Sequence, residues 1–147
     1  MIITSPSFEN GGSIPRKFTC DGGGINPELE IQNVPPGAKS LALVVHDPDA
    51  PIAGGFTHWV IWNIDPATTL IKDESVPPGS VEGKNSANEL GWFAPCPHAG
   101  THHYEFTLYA LDTMLDLKEG ATADQLMSVI QGHIIEEAEL VGLYARG

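Results

Sequence analysis

Two short apolar runs constrain this chain more than any other feature. Residues 40–46 read SLALVVH, with Leu41, Leu43 and Val45 on one face and Ala42 and Val44 on the other. A strand this apolar on both faces must be covered on both sides. Residues 57–64, THWVIWNI, repeat the pattern, and alternation puts His58, Val60, Trp62 and Ile64 on a common face. Between them lies Asp47-Pro48-Asp49-Ala50-Pro51 followed by Gly54-Gly55. Prolines cannot continue a central strand, so the chain leaves the sheet after His46 and returns antiparallel.

A third strand is expected in HHYEFTLYAL, residues 102–111. His102, Tyr104, Phe106, Leu108 and Ala110 share its apolar face, which opens on an imidazole and a phenol. His103, Glu105, Thr107 and Tyr109 fall on the other face, and His103 is expected in solvent. Shorter extended pieces are expected at Ile2-Ile3, Lys17-Phe18-Thr19 and 28–31, and a last strand at 139–144, with residues 65–80 read as loop. One helix is marked by a capping box of Thr122 and Gln125, with Leu126, Val129, Ile130, His133 and Ile134 along one stripe. With 12 Pro and 16 Gly in 147 residues, the reading is one β-rich domain with a single principal helix.

Charge excludes some partners. A formal charge of −12, with seven Lys and Arg, leaves no basic surface for nucleic acid or an anionic membrane. No segment reaches the length of a membrane span, and residues 1–6 lack the basic and apolar regions of a signal peptide. A soluble cytoplasmic protein is the default, in which Cys20 and Cys96 would stay reduced; the sequence leaves a bridge between them open.

The polar residues gather at strand ends. If the three long strands pair antiparallel, Asp47, His58 and His102 meet at one sheet edge. A carboxylate there favours a protonated imidazole, and a protonated His pair beside loop N–H groups makes an anion site. Duller readings compete: Asp47 before Pro48 as an Asx-turn residue, and His58 as a satisfied core histidine. A metal site from His58, His102 and Asp47 lacks supporting spacing, and a Cys96 nucleophile with His98 or His102 as base, as in a hydrolase, lies between two prolines with no helix N-terminus to lower its pKa.

Taken in order, Phe18-Thr19-Cys20-Asp21-Gly22, DPDAP at 47–51, His58-Trp59, Pro95-Cys96-Pro97, Gly100-Thr101-His102-His103-Tyr104 and LYALD at 108–112 resemble the phosphatidylethanolamine-binding protein family, in its bacterial and archaeal Raf-kinase-inhibitor-like branch. The resemblance runs from about residue 3 to the final strand. It implies a mainly β fold: a large central antiparallel sheet packed with a smaller one, plus a few peripheral helices. It further implies a pocket for phosphate or a phosphorylated head group, lined by Asp47, His58, His102 and Tyr104, with Pro95 and Gly100 at the rim. No cofactor and no enzymatic activity come with it. Relatives regulate kinases or inhibit proteases, and bacterial ones dimerise, so a protease, a kinase or a second copy are expected partners. The chain departs from the family pattern at Ala94, His98 and His103, where Gly, Pro and Arg are usual. Weaker anion binding is expected as the histidines lose their protons above about pH 7.

Overall fold

The computed structural model describes residues 1–146. Its strands are β1 (Ile2–Thr4), β2 (Leu29–Gln32), β3 (Ser40–Asp47), β4 (Phe56–Ile64), β5 (Leu70–Ile71), β6 (Val81–Glu82), β7 (His102–Leu111) and β8 (Ile134–Tyr144), with helix α1 (Ala123–Ile130) before the last. They form two antiparallel sheets: a small one in the order β1-β2-β5 and a five-stranded one in the order β6-β4-β3-β7-β8. The expected architecture of a large sheet packed with a smaller one is what the chain builds, with α1 on the far side.

The two-sided apolarity of β3 has a separate cause on each face. Leu41, Leu43 and Val45 join Trp59, Ile61, Phe106 and Leu108 against Ile3, Leu29, Ile31 and Ile71 of the small sheet. Ala42 and Val44 join Val60, Trp62, Tyr109 and Leu111 under Leu126 and Ile130 of α1. The central strands are therefore buried between a sheet and a helix, which is why residues 41–45 of β3 carry no charge on either face.

Several boundaries differ from the sequence reading. Ile64 does not share a face with Trp62; it packs in the intersheet core. Pairing of Leu41 with Ile64 and Leu43 with Ile61 sets three steps on β4 against two on β3, a bulge at whose end Asn63 takes φ 54°. Residues 16–18 form a single 3-10 turn rather than an extended piece, closed by Phe18 N–H on the Pro15 carbonyl at 3.1 Å, which drives Phe18 into the core. The helix stops at Ile130: Gly132 takes φ 82° in a turn closed by His133 N–H on the Ile130 carbonyl at 2.9 Å, so His133 and Ile134 lie beyond it. Val129 is exposed. Strand β8 starts five residues earlier than expected, and β5 lies inside the segment read as loop.

The capping box is present in both directions, Gln125 N–H donating to Thr122 Oγ1 at 3.2 Å and Thr122 N–H to Gln125 Oε1 at 2.9 Å. Thr122 is exposed and has little else to lose. Thr122→Ala is expected to cost about 1 kcal/mol of stability, read as a lower urea midpoint at unchanged slope.

Cys20 and Cys96 form a disulfide across 76 residues of sequence, so the reduced-thiol reading does not hold. The bridge ties the loop after the 3-10 turn to the segment leading into β7, reinforced by Cys20 N–H on the Pro95 carbonyl at 3.1 Å.

Candidate functional site

Antiparallel pairing brings the end of β3, the start of β4 and the start of β7 to one edge of the large sheet. Asp47 is 3% exposed, and both its oxygens are engaged. Oδ1 accepts the Asp49 N–H at 2.8 Å, an Asx turn that carries the chain out of the sheet. Oδ2 accepts His102 Nδ1–H at 2.6 Å. One carboxylate thus forms the turn and holds the His102 imidazole at the same time. Gly55, just before β4, takes φ 77°; a Cβ there would lie 2.4 Å from the Asp47 carbonyl oxygen, so only glycine fits.

His58 arrives by a different device. Simple alternation would put it on the face of Val60, toward the helix. The pairs Val45–Trp59 and His46–Thr57 leave His58 as the extra residue of a second bulge. That bulge turns its ring to the Tyr104 side, 5.2 Å away in an edge-on contact. Its Nδ1–H donates to the Phe93 carbonyl at 2.6 Å, and Phe93 N–H returns a bond to the His58 carbonyl at 2.8 Å. Phe56 and Phe93 flank the ring at 4.8 Å and 6.0 Å. Burial outweighs the Phe93 bond and the Asp47 charge and pulls the His58 pKa below its ordinary value. The expected protonated pair is therefore not what the free site holds: the carboxylate bonds His102, and His58 is neutral at pH 7.

Tyr104 lies between the two imidazoles, its ring 6.4 Å from that of His102 and itself 1% exposed. Burial first, then the carboxylates of Asp47 and Asp49, push its hydroxyl pKa up, so it stays a donor across the working pH range. Trp92 Nε1 is the one fully buried side-chain polar atom without a partner among the described residues. The Nε2 atoms of His58 and His102 and the Tyr104 hydroxyl, bonded to no protein group among those residues, therefore keep contact with solvent. Two nitrogens and one hydroxyl are left free where the opposite nitrogen of each ring is engaged.

The remaining expected site residues fall outside this cluster of bonds. Pro95 is buried with its carbonyl taken by Cys20, and Gly100 is exposed at φ 72° two residues before β7. Neither hydrogen-bonds the four central residues. Cys96 is in a disulfide and is no free nucleophile. His103 is exposed, yet not merely solvated: its N–H and Nδ1 both bond Asp49 Oδ2 at 2.7 Å, and the imidazole bond chiefly holds that carboxyl below its usual range. Phe93 escaped the sequence reading as a site residue because it acts through a backbone carbonyl, which has no residue signature; Phe56 escaped it as well. Two surface clefts open elsewhere, one of about 620 Å³ along 116–129 and one of about 510 Å³ between Ile14, Arg16, Thr101 and Tyr144. No helix among the described residues is long and apolar enough to cross a membrane.

Comparison with known proteins agrees with this architecture. A protein of Methanothermobacter thermautotrophicus named only UPF0098 is 46% identical over 152 residues, covering 100% of both chains. The solved structure of a phosphatidylethanolamine-binding protein homologue from Chlamydia trachomatis, CT736, matches with TM-score 0.95 and 41% identity, over 99% of this chain and 97% of that one. E. coli YbcL, described as a new member of the mammalian PEBP family, matches with TM-score 0.92 and 28% identity, over 99% and 98%. A Mycobacterium tuberculosis protein, LppC, whose name marks it as a candidate lipoprotein, is 42% identical over 146 residues, 98% of this chain and 72% of its own. The family model described as phosphatidylethanolamine-binding protein matches residues 4–145, and the chain belongs to that family.

Proposed function

We propose that this chain is a binding protein whose pocket, formed by His58, His102 and Tyr104 over Asp47, takes a phosphate-like anion, free or as a phosphorylated head group. The observation that carries the reading is the set of free polar atoms: His102 Nε2, His58 Nε2 and the Tyr104 hydroxyl have no partner among the described residues, while the opposite nitrogen of each ring is locked, by Asp47 and by the Phe93 carbonyl. Such preorganised groups meet a ligand without rearrangement. Tyr104 donates to a phosphoryl oxygen, and His102, backed by a carboxylate, donates from Nε2 once protonated. Pro95 and Gly100 frame the entrance in this reading, and binding proceeds without turnover in a single domain. The chain's charge of −12 opposes attraction of anions from a distance, so affinity is modest.

The test is an NMR titration of the six histidine rings with inorganic phosphate and phosphorylethanolamine. Selective shifts of the His58 and His102 signals are expected, with His98 and His133 unmoved. Rings unmoved up to millimolar ligand would overturn the pocket reading and move the function to the outer surface, with a protease, a kinase or a second copy as partner. The Cys20–Cys96 bridge weighs against the cytoplasmic setting expected from sequence, since reducing compartments of mesophiles keep such thiols apart.

A further inference from the structure

We infer that the Cys20–Cys96 disulfide is a redox latch: a dithiol that reduces it frees the segment 94–101 and weakens anion binding in the pocket beside it. The inference rests on the anion reading above and adds its control.

The two ends of the bridge are held very differently. The Cys20 end is a fixed post. Thr19 N–H bonds the Arg16 carbonyl at 3.0 Å and Gly22 N–H bonds the Thr19 carbonyl at 3.1 Å, so Cys20 lies between linked turns. The next residue, Asp21, is pinned to the end of β8, accepting from the Tyr144 hydroxyl and from Arg146 Nη2 at 3.2 Å. The Cys96 end has no such frame. Residues 94–101 form no helix or strand. Their one hydrogen bond among the described residues is Cys20 N–H on the Pro95 carbonyl at 3.1 Å. Pro95 and Pro97 are buried, while His98, Ala99 and Gly100 are exposed.

Both ends of this segment run into the pocket. It starts after Phe93, whose carbonyl holds the His58 ring, and it ends at His102, the first residue of β7. With the bridge intact, the segment is a wall tied to the Cys20 post. With the bridge cut, one hydrogen bond and the packing of two prolines remain, and the wall samples open positions. A ligand that needs the closed wall then binds with an affinity lowered by the fraction of time the wall is closed.

The bridge is open to a reductant. Cys20 is exposed and Cys96 half-buried, so attack comes at the Cys20 sulfur. A thiolate of the dithiol forms a mixed disulfide there, and the Cys20–Cys96 bond breaks with its electron pair on Cys96. The second thiolate of the dithiol then displaces Cys20. The two cysteine thiolates take up the protons that the dithiol gave up, and the oxidised dithiol leaves as a disulfide.

Dithiothreitol on the whole chain is the probe. NMR order parameters of the Ala94 and Cys96 amides are expected to fall from about 0.85 to below about 0.6 on reduction, with those of β7 unchanged. By calorimetry, affinity for inorganic phosphate is expected to fall about tenfold, as for a wall closed about one tenth of the time, and to return on reoxidation. The Cys20→Ala, Cys96→Ala chain is expected to match the reduced protein with or without dithiothreitol. Should that chain fold poorly, reversible reduction of the unaltered protein decides. Equal phosphate affinity in both redox states overturns this inference and leaves the anion reading standing. Phosphate binding by neither state overturns both. Loss of order along β7 as well overturns the latch, because reduction then acts by unfolding the chain.

Discussion

Removing the disulfide by a Cys20→Ala, Cys96→Ala double substitution is expected to lower the unfolding free energy by about 4 kcal/mol. The bridge closes a loop across 76 residues, and for that length the entropy withheld from the unfolded chain amounts to about 4.5 kcal/mol. Small losses and gains at the two alanines do not alter the order of magnitude. For a chain of this size that is a fall in Tm of roughly 10–15 °C, measured by calorimetry on oxidised, reduced and substituted protein. The native fold is expected to survive, because the same two segments are still joined by Cys20 N–H on the Pro95 carbonyl. An oxidised protein whose Tm is indifferent to reductant would show that the bridge does not form in solution.

Asp47→Asn carries the largest expected effect on binding. Both carboxylate oxygens accept a hydrogen, one from Asp49 N–H and one from His102 Nδ1–H. Asparagine has one oxygen, so its NH2 must face one of those two donors. If the turn keeps the oxygen, His102 loses its acceptor, moves its hydrogen to Nε2 and no longer has a carboxylate to support a second proton. If His102 keeps it, the Asx turn opens. Either way phosphate affinity is expected to fall about 10- to 100-fold, the value of a hydrogen bond to a charged group, read by calorimetry with inorganic phosphate. Asp49→Asn is the control: its partner His103 is exposed, and affinity is expected to stay within about threefold. Equal affinities for Asp47→Asn and the unaltered chain would remove Asp47 from the site.

The comparison of Asp47 with His58 shows how far residues speak for themselves. Asp47 sits between an apolar strand and a proline, and local rules alone place it at a sheet edge. The structure then satisfies its turn role and its imidazole at once through two separate oxygens. His58 followed the alternation rule in sequence and broke it in space. A bulge arises when two residues on one strand face one on its partner, so it is a property of the pair and not of either strand. The same is true of Ile64, whose face was misassigned at the other end of β4. The state of His58 was equally hidden, because its partner is a backbone carbonyl, a group that every residue carries.

By itself the sequence determined the apolar, doubly covered strands at 40–46 and 57–64, the strand at 102–111, the capped helix start and the polar residues waiting at strand ends. These follow from side-chain alternation, proline geometry and local capping, all of which act within a few residues. Only the tertiary structure decided which faces meet, where β4 bulges, that Cys20 reaches Cys96, and that the carboxylate bonds His102 while His58 stays neutral. Those outcomes depend on contacts between segments far apart in the chain, where burial and pairing geometry set hydrogen-bond partners and charge.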